Sequence, residues 1–366
     1  MLIQIDLVLV GFGNVARRFV RLIDEHADAL ARDHGLAARV VAIATRRHGC
    51  AIDARGLDTA DALARVERGA VLEEAHAPAH GAPPRDALAT IVGCAALAAA
   101  RPTLMVETTT LDVQRGEPAA SHLRAAFAAG MHVITANKGP IACAYHALRD
   151  EATRRHLQFF FEGTVMDGIP VFNLVRETLP AVTITGVRGV VNSTTNYVLE
   201  AMEGGRPLAA ALEDMQRAGI AEADASLDVD GWDAAAKTAA LVNVLMGGAL
   251  TPVEVDRTGI GQLTPADLRA ARTRGGRIKL VASARTIDGR VAARVAPEEL
   301  PATDLLARLS GMANAIIFET DLLGEVAVTQ EHGGLTQTAY ALVTDLVAVR
   351  RRLRAPHSAA ALRRNL

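Results

Sequence analysis

Five carboxylates and one lysine fall within the sixteen residues Glu222-Ala-Asp224-Ala-Ser-Leu-Asp228-Val-Asp230-Gly-Trp-Asp233-Ala-Ala-Ala-Lys237. A calcium loop of the EF-hand kind needs oxygen ligands at its first, third and fifth positions, glycine at the sixth and glutamate at the twelfth. With Gly231 at the sixth, Asp228 and Asp230 fall correctly, but Ser226 stands first and the cation Lys237 last, so that metal reading fails. A helix fits better. Asp230 is placed to cap its start, and Asp233 follows three residues on as in a capping box. Asp233 and Lys237 then stand four apart on one helical face. Two uses of that pair are open. One is a surface ion pair on a capped helix. The other is proton transfer, in which the ammonium stabilises and protonates an alkoxide while the carboxylate orients it. The remaining carboxylates would then suit a ligand ammonium.

A second constellation opens the chain. Gly11-Phe12-Gly13-Asn14-Val15-Ala16 has the form G-x-G-x-x-G/A. It follows the apolar run Ile3–Val10 and starts a helix whose Val15, Phe19, Leu22 and Ile23 share one face. In that context the pattern is a dinucleotide turn. Gly11 permits the sharp exit from the strand, Gly13 lets backbone approach a pyrophosphate, and Ala16 keeps the helix close to the sheet. The first N–H groups of the helix face the phosphates. The next strand, residues 39–44, is followed by Thr45-Arg46-Arg47. The carboxylate that usually holds the ribose hydroxyls of NAD is missing there. Arg46 and Arg47 suit a 2′-phosphate and so favour NADP, although as solvated surface charges they would carry no such meaning. A nicotinamide cofactor gives the acidic segment a task, because hydride transfer to an aldehyde leaves an alkoxide to protonate.

Five segments in order along the chain resemble the homoserine dehydrogenases. They are the dinucleotide turn, Thr135-Ala-Asn-Lys138-Gly-Pro, Phe161-Glu162-Gly-Thr-Val165-Met-Asp167-Gly-Ile169-Pro170, Asn192-Ser-Thr-Thr-Asn-Tyr197-Val-Leu, and the acidic segment itself. The resemblance is to the short form, without a regulatory extension. It implies NAD(P)-dependent interconversion of L-homoserine and L-aspartate 4-semialdehyde by a cytoplasmic homodimer serving threonine and methionine synthesis. It further implies that Lys237 is the general acid/base with Asp233 beside it, that Glu222 and Asp228 hold the substrate ammonium, and that Thr194 lies near the substrate. Lys138 would sit between cofactor and substrate. Cofactor contacts would come from Gly11, Phe12, Gly13, Asn14, Val15, Arg46, Arg47, Thr108 and Lys138. Glu162, Val165, Asp167 and Ile169 would form a loop for a monovalent cation, sodium, held mostly by backbone carbonyls. Three departures from the family pattern stand out: Asp167 where a small residue is usual, Ala225 for a proline, and Glu331-His332-Gly333-Gly334-Leu335-Thr336 for a G-P-G-A-G turn. The last of these keeps two alternatives in view, a dehydrogenase of another small amino acid and a cofactor-binding protein without activity.

These groups must be positioned by a scaffold, and its outline is readable. Strands at residues 3–10, 39–44, 103–107 and 131–135 alternate with helices, including one at 117–129 ended by Gly130, as in an α/β doubly wound parallel sheet of Rossmann type. After about residue 160 the pattern changes. Strands at 182–191, 278–284, 291–295 and 315–318 and helices at 208–218 and 232–246 give a second, α+β domain for catalysis and dimerisation. A final helix spans 336–353. The domain expectation is 1–140 for the dinucleotide, with 335–366 returning to it, and 141–334 for catalysis. A length of 366 residues accommodates both. A net charge of −2 gives no field for nucleic acid or an anionic membrane. Three scattered cysteines, Cys50, Cys94 and Cys143, fit a reducing compartment rather than disulfides or zinc. No H-E-x-x-H pattern occurs, Ser193 has no triad pattern around it, and no apolar run has the length or flanks of a membrane span or signal peptide.

Overall fold

The computed structural model describes residues 1–217 and 225–353. They form two compact units. The first takes in Met1–Pro140, Ala144–Gly168 and the described residues from Gly334 onward. The second takes in Ile141–Cys143 and the described residues from Ile169 to Gly333.

The first unit is organised on β1 (Ile3–Val10), β2 (Leu36–Ala44), β3 (Cys50–Ile52), β4 (Thr103–Glu107), β5 (His132–Thr135) and β6 (Phe159–Phe160). Their order is β3-β2-β1-β4-β5-β6. Every neighbouring pair is parallel except β2 with β3. This is the Rossmann-type order with a reversed edge strand. The strands are continuous apolar runs because both faces are covered; Ile5, Leu7, Val8, Leu9 and Val10 are fully buried. Asp6 interrupts the run, and its buried charge is met by Arg39 at 2.7 Å and Arg101 at 2.6 Å. In register, Val10 lies beside Ala44 on one side and Glu107 on the other. Gly11, Thr45 and Thr108 therefore leave the sheet at one edge, where strand order reverses and ligands of such sheets bind.

The strands expected at 3–10 and 103–107 are β1 and β4. β2 begins earlier than its apolar run because Ile3 pairs with Leu36 and draws residues 36–38 into the ladder. The helix expected over 117–129 is Ala119–Ala128, since Pro118 takes the capping position; Gly130 follows with φ 80°. Between β2 and β4 the chain forms β3 and the helices Thr59–Glu67 and Ala87–Gly93, these two helices capped by the side chains of Asp58 and Asp86.

The final helix, Leu335–Arg352, belongs to this first unit. Its Ala339, Leu342, Leu346 and Val349 share a core with Phe19, Val20 and Ile23 of the helix Asn14–Glu25. At its far end Arg350 is 1 % exposed and donates to the carbonyls of Gly35 (2.8 Å) and Met1 (2.7 Å).

The second unit carries β7 (Ile184–Val190), β8 (Asp256–Arg257), β9 (Gly276–Ile287), β10 (Arg290–Pro301), β11 (Asn314–Thr320) and β12 (Gly324–Gln330). Their order is β12-β11-β7-β9-β10-β8, antiparallel except between β10 and β8. β9 and β10 run longer than their apolar cores. Their full-length pairing continues to the turn at Asp288 and Gly289, where φ is 50° and 76°. β12 was not anticipated, because its alternation sets only the half-buried Val326 and Val328 between exposed Glu325, Ala327 and Thr329. The helix Trp232–Leu245 packs on β9 and β10 through small side chains, with Ala235, Ala236, Ala239 and Ala240 fully buried. The helix Ser193–Glu203 is fixed by Lys279 of β9. That lysine is 2 % exposed, and its Nζ donates to Asn196 Oδ1 and the Leu309 carbonyl, each at 2.6 Å. Burial pushes its ammonium down to about 8. No helix among the described residues is long and apolar enough to cross a membrane.

Arg350→Ala should take the side-chain donor from the Met1 and Gly35 carbonyls, the latter keeping only the Ile3 N–H, and empty the space of a buried side chain. We expect a loss of about 2–4 kcal/mol, the range for charge-assisted bonds plus lost packing. Thermal unfolding of the variant measures it, and an unchanged midpoint would remove Arg350 as the anchor of the last helix.

Candidate functional site

At the switch edge of the first unit the helix Asn14–Glu25 starts directly after Gly13, which is extended and gives no side-chain cap. Its first-turn N–H groups are thus offered to an anion. Gly11 is obligatory on two counts. Its φ is +89°, and a Cβ there would come within 2.7 Å of the Thr108 carbonyl oxygen. Thr108 closes this junction: its N–H donates to Val10 (2.9 Å) and its hydroxyl to the Gly11 carbonyl (3.1 Å). Gly13 differs, because apart from its own chain neighbours nothing lies within 4 Å of where its Cβ would stand. The space is outside the protein, as close approach of a pyrophosphate requires. Phe12 is buried, Asn14 is exposed and accepts from Arg17 at 2.6 Å, and Val15 is half-buried. Arg46 and Arg47 are exposed in the turn from Thr45 to Gly49. Thr45 frames that turn, its N–H and hydroxyl both reaching the Gly49 carbonyl at 3.0 Å.

Glu107, which the sequence reading passed over, ends β4 in full burial. Its carboxylate accepts from the Thr109 N–H (2.8 Å), the Thr109 hydroxyl and the Thr135 hydroxyl (2.8 Å). Burial raises this carboxyl above its ordinary range, while those hydrogen bonds pull it down. Asn137 extends the network. Its Nδ2 donates to the Thr109 carbonyl at 3.2 Å, and its Oδ1 takes the Gly139 N–H at 3.0 Å as cap of the helix Lys138–Arg154. Lys138 is therefore the first residue of a capped helix, with its backbone set by β4 and β5.

In the second unit the structure brings together Asn192, Asp228, Asp233 and Lys237. Lys237 Nζ donates to the Val191 carbonyl at 2.6 Å and lies 3.1 Å from Asp233 Oδ2. The two side chains are 15 % and 14 % exposed, so this is not a solvated surface pair. Asn192 Nδ2 reaches both Asp228 Oδ1 (2.6 Å) and Asp233 Oδ2 (2.9 Å). Thr194 is buried in the first turn of the next helix, and the neighbouring Ser193 Oγ accepts from Asn314 at 2.8 Å. Glu222, like Asp224, lies outside the described residues.

The expected cap at Asp230 is corrected. Asp230 closes the short helix Ser226–Val229, and the helix Trp232–Leu245 begins after Gly231, which is left-handed at φ 79°. The reversal at Gly231 breaks the continuous cap that the sequence spacing suggested. Arg257 holds the corner instead, donating to the Asp230 carbonyl and stacking 3.7 Å above the Trp232 ring.

Glu162, Val165 and Asp167 lie in the first unit, and Ile169 begins the next stretch of the second. Glu162 N–H donates to Asp345 at 2.9 Å. Asp167 has φ 46°, and its Oδ1 accepts from the Thr338 hydroxyl at 2.9 Å. A Cβ at Gly168 would meet the Gln337 carbonyl at 2.5 Å. Two departures from the family pattern, Asp167 and the altered turn before the last helix, are thus neighbours. Among the described residues no group of three or more His, Cys, Asp or Glu side chains could hold a metal ion. His76 and His80, a pair four apart that the sequence reading overlooked, instead accept the backbone N–H groups of Ile52 (3.0 Å) and Ala54 (3.1 Å).

The two glycines separate fold from binding. Gly13→Ala should keep the wild-type melting temperature yet weaken dinucleotide binding at least about tenfold, whereas Gly11→Ala should lose both. Calorimetric titration and thermal unfolding report them; wild-type affinity in Gly13→Ala would refute the close approach at that residue.

Comparison with known proteins supplies the family. The chain matches the model of the homoserine dehydrogenase NAD binding domain over residues 11–162 and that of homoserine dehydrogenase over residues 170–347. It is 37 % identical to the NAD(+)-dependent homoserine dehydrogenase of Pseudomonas canavaninivorans, covering 94 % of this chain and 96 % of that protein. It is 34 % identical to the homoserine dehydrogenase of Methanocaldococcus jannaschii, covering 94 % and 98 %. Among solved structures, the homoserine dehydrogenase of Thiobacillus denitrificans is similar with a TM-score of 0.78 at 30 % identity, over 97 % of this chain and 76 % of that one. That of Thermoplasma acidophilum has a TM-score of 0.75 at 27 % identity, over 95 % and 99 %. These relatives favour neither another amino acid nor a protein without activity. Relatedness at this level along nearly the whole of both chains makes the protein a member of the homoserine dehydrogenase family.

Proposed function

We propose that Lys237 and Asp233 are the proton-transfer pair of this oxidoreductase, which interconverts L-homoserine and L-aspartate 4-semialdehyde at the CH–OH group. The observation that carries the reading is the seat of Lys237 Nζ between the Val191 carbonyl and Asp233. A nicotinamide, when bound, takes up or supplies the hydride. In aldehyde reduction Lys237 Nζ gives its proton to the alkoxide oxygen; in homoserine oxidation Nζ takes the hydroxyl proton. Asp233 orients the ammonium and offsets its charge. Asp228 and Glu222 hold the substrate ammonium, with Thr194 beside the substrate. Lys138, at its helix start, faces the junction of cofactor and substrate.

We read the cofactor as NADP. Arg46 and Arg47 are exposed beyond the end of β2, where no carboxylate follows Ala44 to hold a free ribose diol. NAD is the alternative, carried by the name of the Pseudomonas relative. Gly11, Phe12, Gly13, Asn14, Val15 and Thr108 would bind the dinucleotide. Glu162, Val165, Asp167 and Ile169 would hold a monovalent cation by backbone oxygens, with the Asp167 carboxylate adding charge. A cytoplasmic homodimer joined through the second unit's sheet completes the reading; half-buried Val326 and Val328 on its edge strand β12 support it.

Lys237→Ala should lower turnover at least about a hundredfold, the scale for losing a general acid/base, while calorimetric cofactor affinity survives. Near-normal turnover would sink the assignment. With L-homoserine and either oxidised cofactor, absorbance of the reduced nicotinamide should rise faster with NADP, and Arg46→Ala should weaken NADP more than NAD. Equal losses would remove Arg46 as the phosphate reader.

A further inference from the structure

Val191 and Asn192 follow β7 directly, and this dipeptide touches every described charged member of the proposed proton-transfer and ammonium-binding set except Lys138. The Val191 carbonyl takes Lys237 Nζ, and Asn192 Nδ2 takes both Asp228 and Asp233. The amide has one possible orientation. Its Oδ1 accepts the Thr195 N–H at 2.8 Å as cap of the helix Ser193–Glu203, so the two Nδ2 protons must face the carboxylates. Asn192 is 5 % exposed, so water does not compete freely for those protons. The Asp233 oxygen that it holds, Oδ2, is the one beside Lys237.

We propose that Asn192 is the positioning residue of the reaction: its uncharged amide holds the substrate-binding carboxylate Asp228 and the orienting carboxylate Asp233 in one frame with Lys237. This rests on the roles proposed above. Two carboxylates this close repel, and an amide reconciles them without adding charge. A cation here would compete with Lys237 for Asp233, and an anion would fix the proton on Lys237. The charged groups at this end of the helix, among the described residues, are Asp233 and Lys237 on the helix itself, Asp228 on Ser226–Val229, the exposed Asp230 that closes that short helix, and Arg257 of β8, which stacks on Trp232. Asparagine is the side chain that can cap a helix with its oxygen and bridge two acceptors with its nitrogen.

Asn192→Asp separates the two tasks. It keeps an oxygen for the Thr195 N–H, so the cap survives, but it loses both donors and adds a negative charge. On the roles proposed, kcat of homoserine oxidation should rise with pH as Lys237 becomes able to accept a proton. The added anion should move that limb up by about one pH unit or more. It should also raise the KM for L-homoserine at least about tenfold, with calorimetric cofactor affinity unchanged. Asn192→Ser, which keeps a cap oxygen and adds no charge, should raise the KM and lower kcat with the limb in place, and it carries the test if the aspartate variant does not fold. Lys237→Ala is profiled alongside. If it stays active, the proton-transfer assignment falls. If it is inactive while Asn192→Asp keeps the wild-type limb and KM, or Asn192→Ser keeps the wild-type KM and kcat, only the role of Asn192 is overturned.

Discussion

An ammonium that is 15 % exposed must be met by acceptors, or burial would strip its proton. Lys237 has the Val191 carbonyl and the Asp233 carboxylate, and much of the second unit follows from keeping those two in reach. The carbonyl sits at the end of a strand and the carboxylate in the first turn of a helix, so strand and helix must hold a fixed distance. The alanine face of the helix Trp232–Leu245 sets it by letting the helix lie low on β9 and β10. Lys279 ties the helix that follows Asn192 to the same sheet. The small residues and the buried lysine are therefore part of the site's geometry although neither touches it.

The first unit solves a different problem with a similar economy. Three chain segments must leave adjacent strands at one edge without colliding. Gly11 supplies a backbone without a Cβ, and Thr108 fills the space and ties the two exits together. Glu107, one residue earlier, gathers Thr109 and Thr135 about a buried carboxylate, and Asn137 carries that order to the helix of Lys138. The exits of β1, β4 and β5 are thus cross-linked by polar side chains in a place where regular ladders have ended.

Much of this was legible locally. The runs of β1 and β4, the dinucleotide turn, and the spacing of Asp233 with Lys237 depend on neighbours within one element, and sequence period reports such neighbours well. What stayed hidden depends on distant partners. Asn192 meets carboxylates 36 and 41 residues away, and Thr338 meets Asp167 across 171. No periodicity encodes such pairings. The misplaced cap at Asp230 has another cause, since Gly231 adopts a left-handed turn that glycine permits but does not announce. The departure at Asp167 and that in the turn before the last helix looked unrelated in the sequence, and contact between their segments makes them one local change.

The corner at Gly231 has an optical consequence. The chain contains a single tryptophan, Trp232, and it adjoins Asp233 while Arg257 covers its ring at 3.7 Å. All indole emission of this protein therefore arises at the start of the helix that bears Lys237. Any motion that lifts the guanidinium from the ring changes that emission, so the molecule carries an intrinsic fluorophore beside the charged groups Asp228, Asp233 and Lys237.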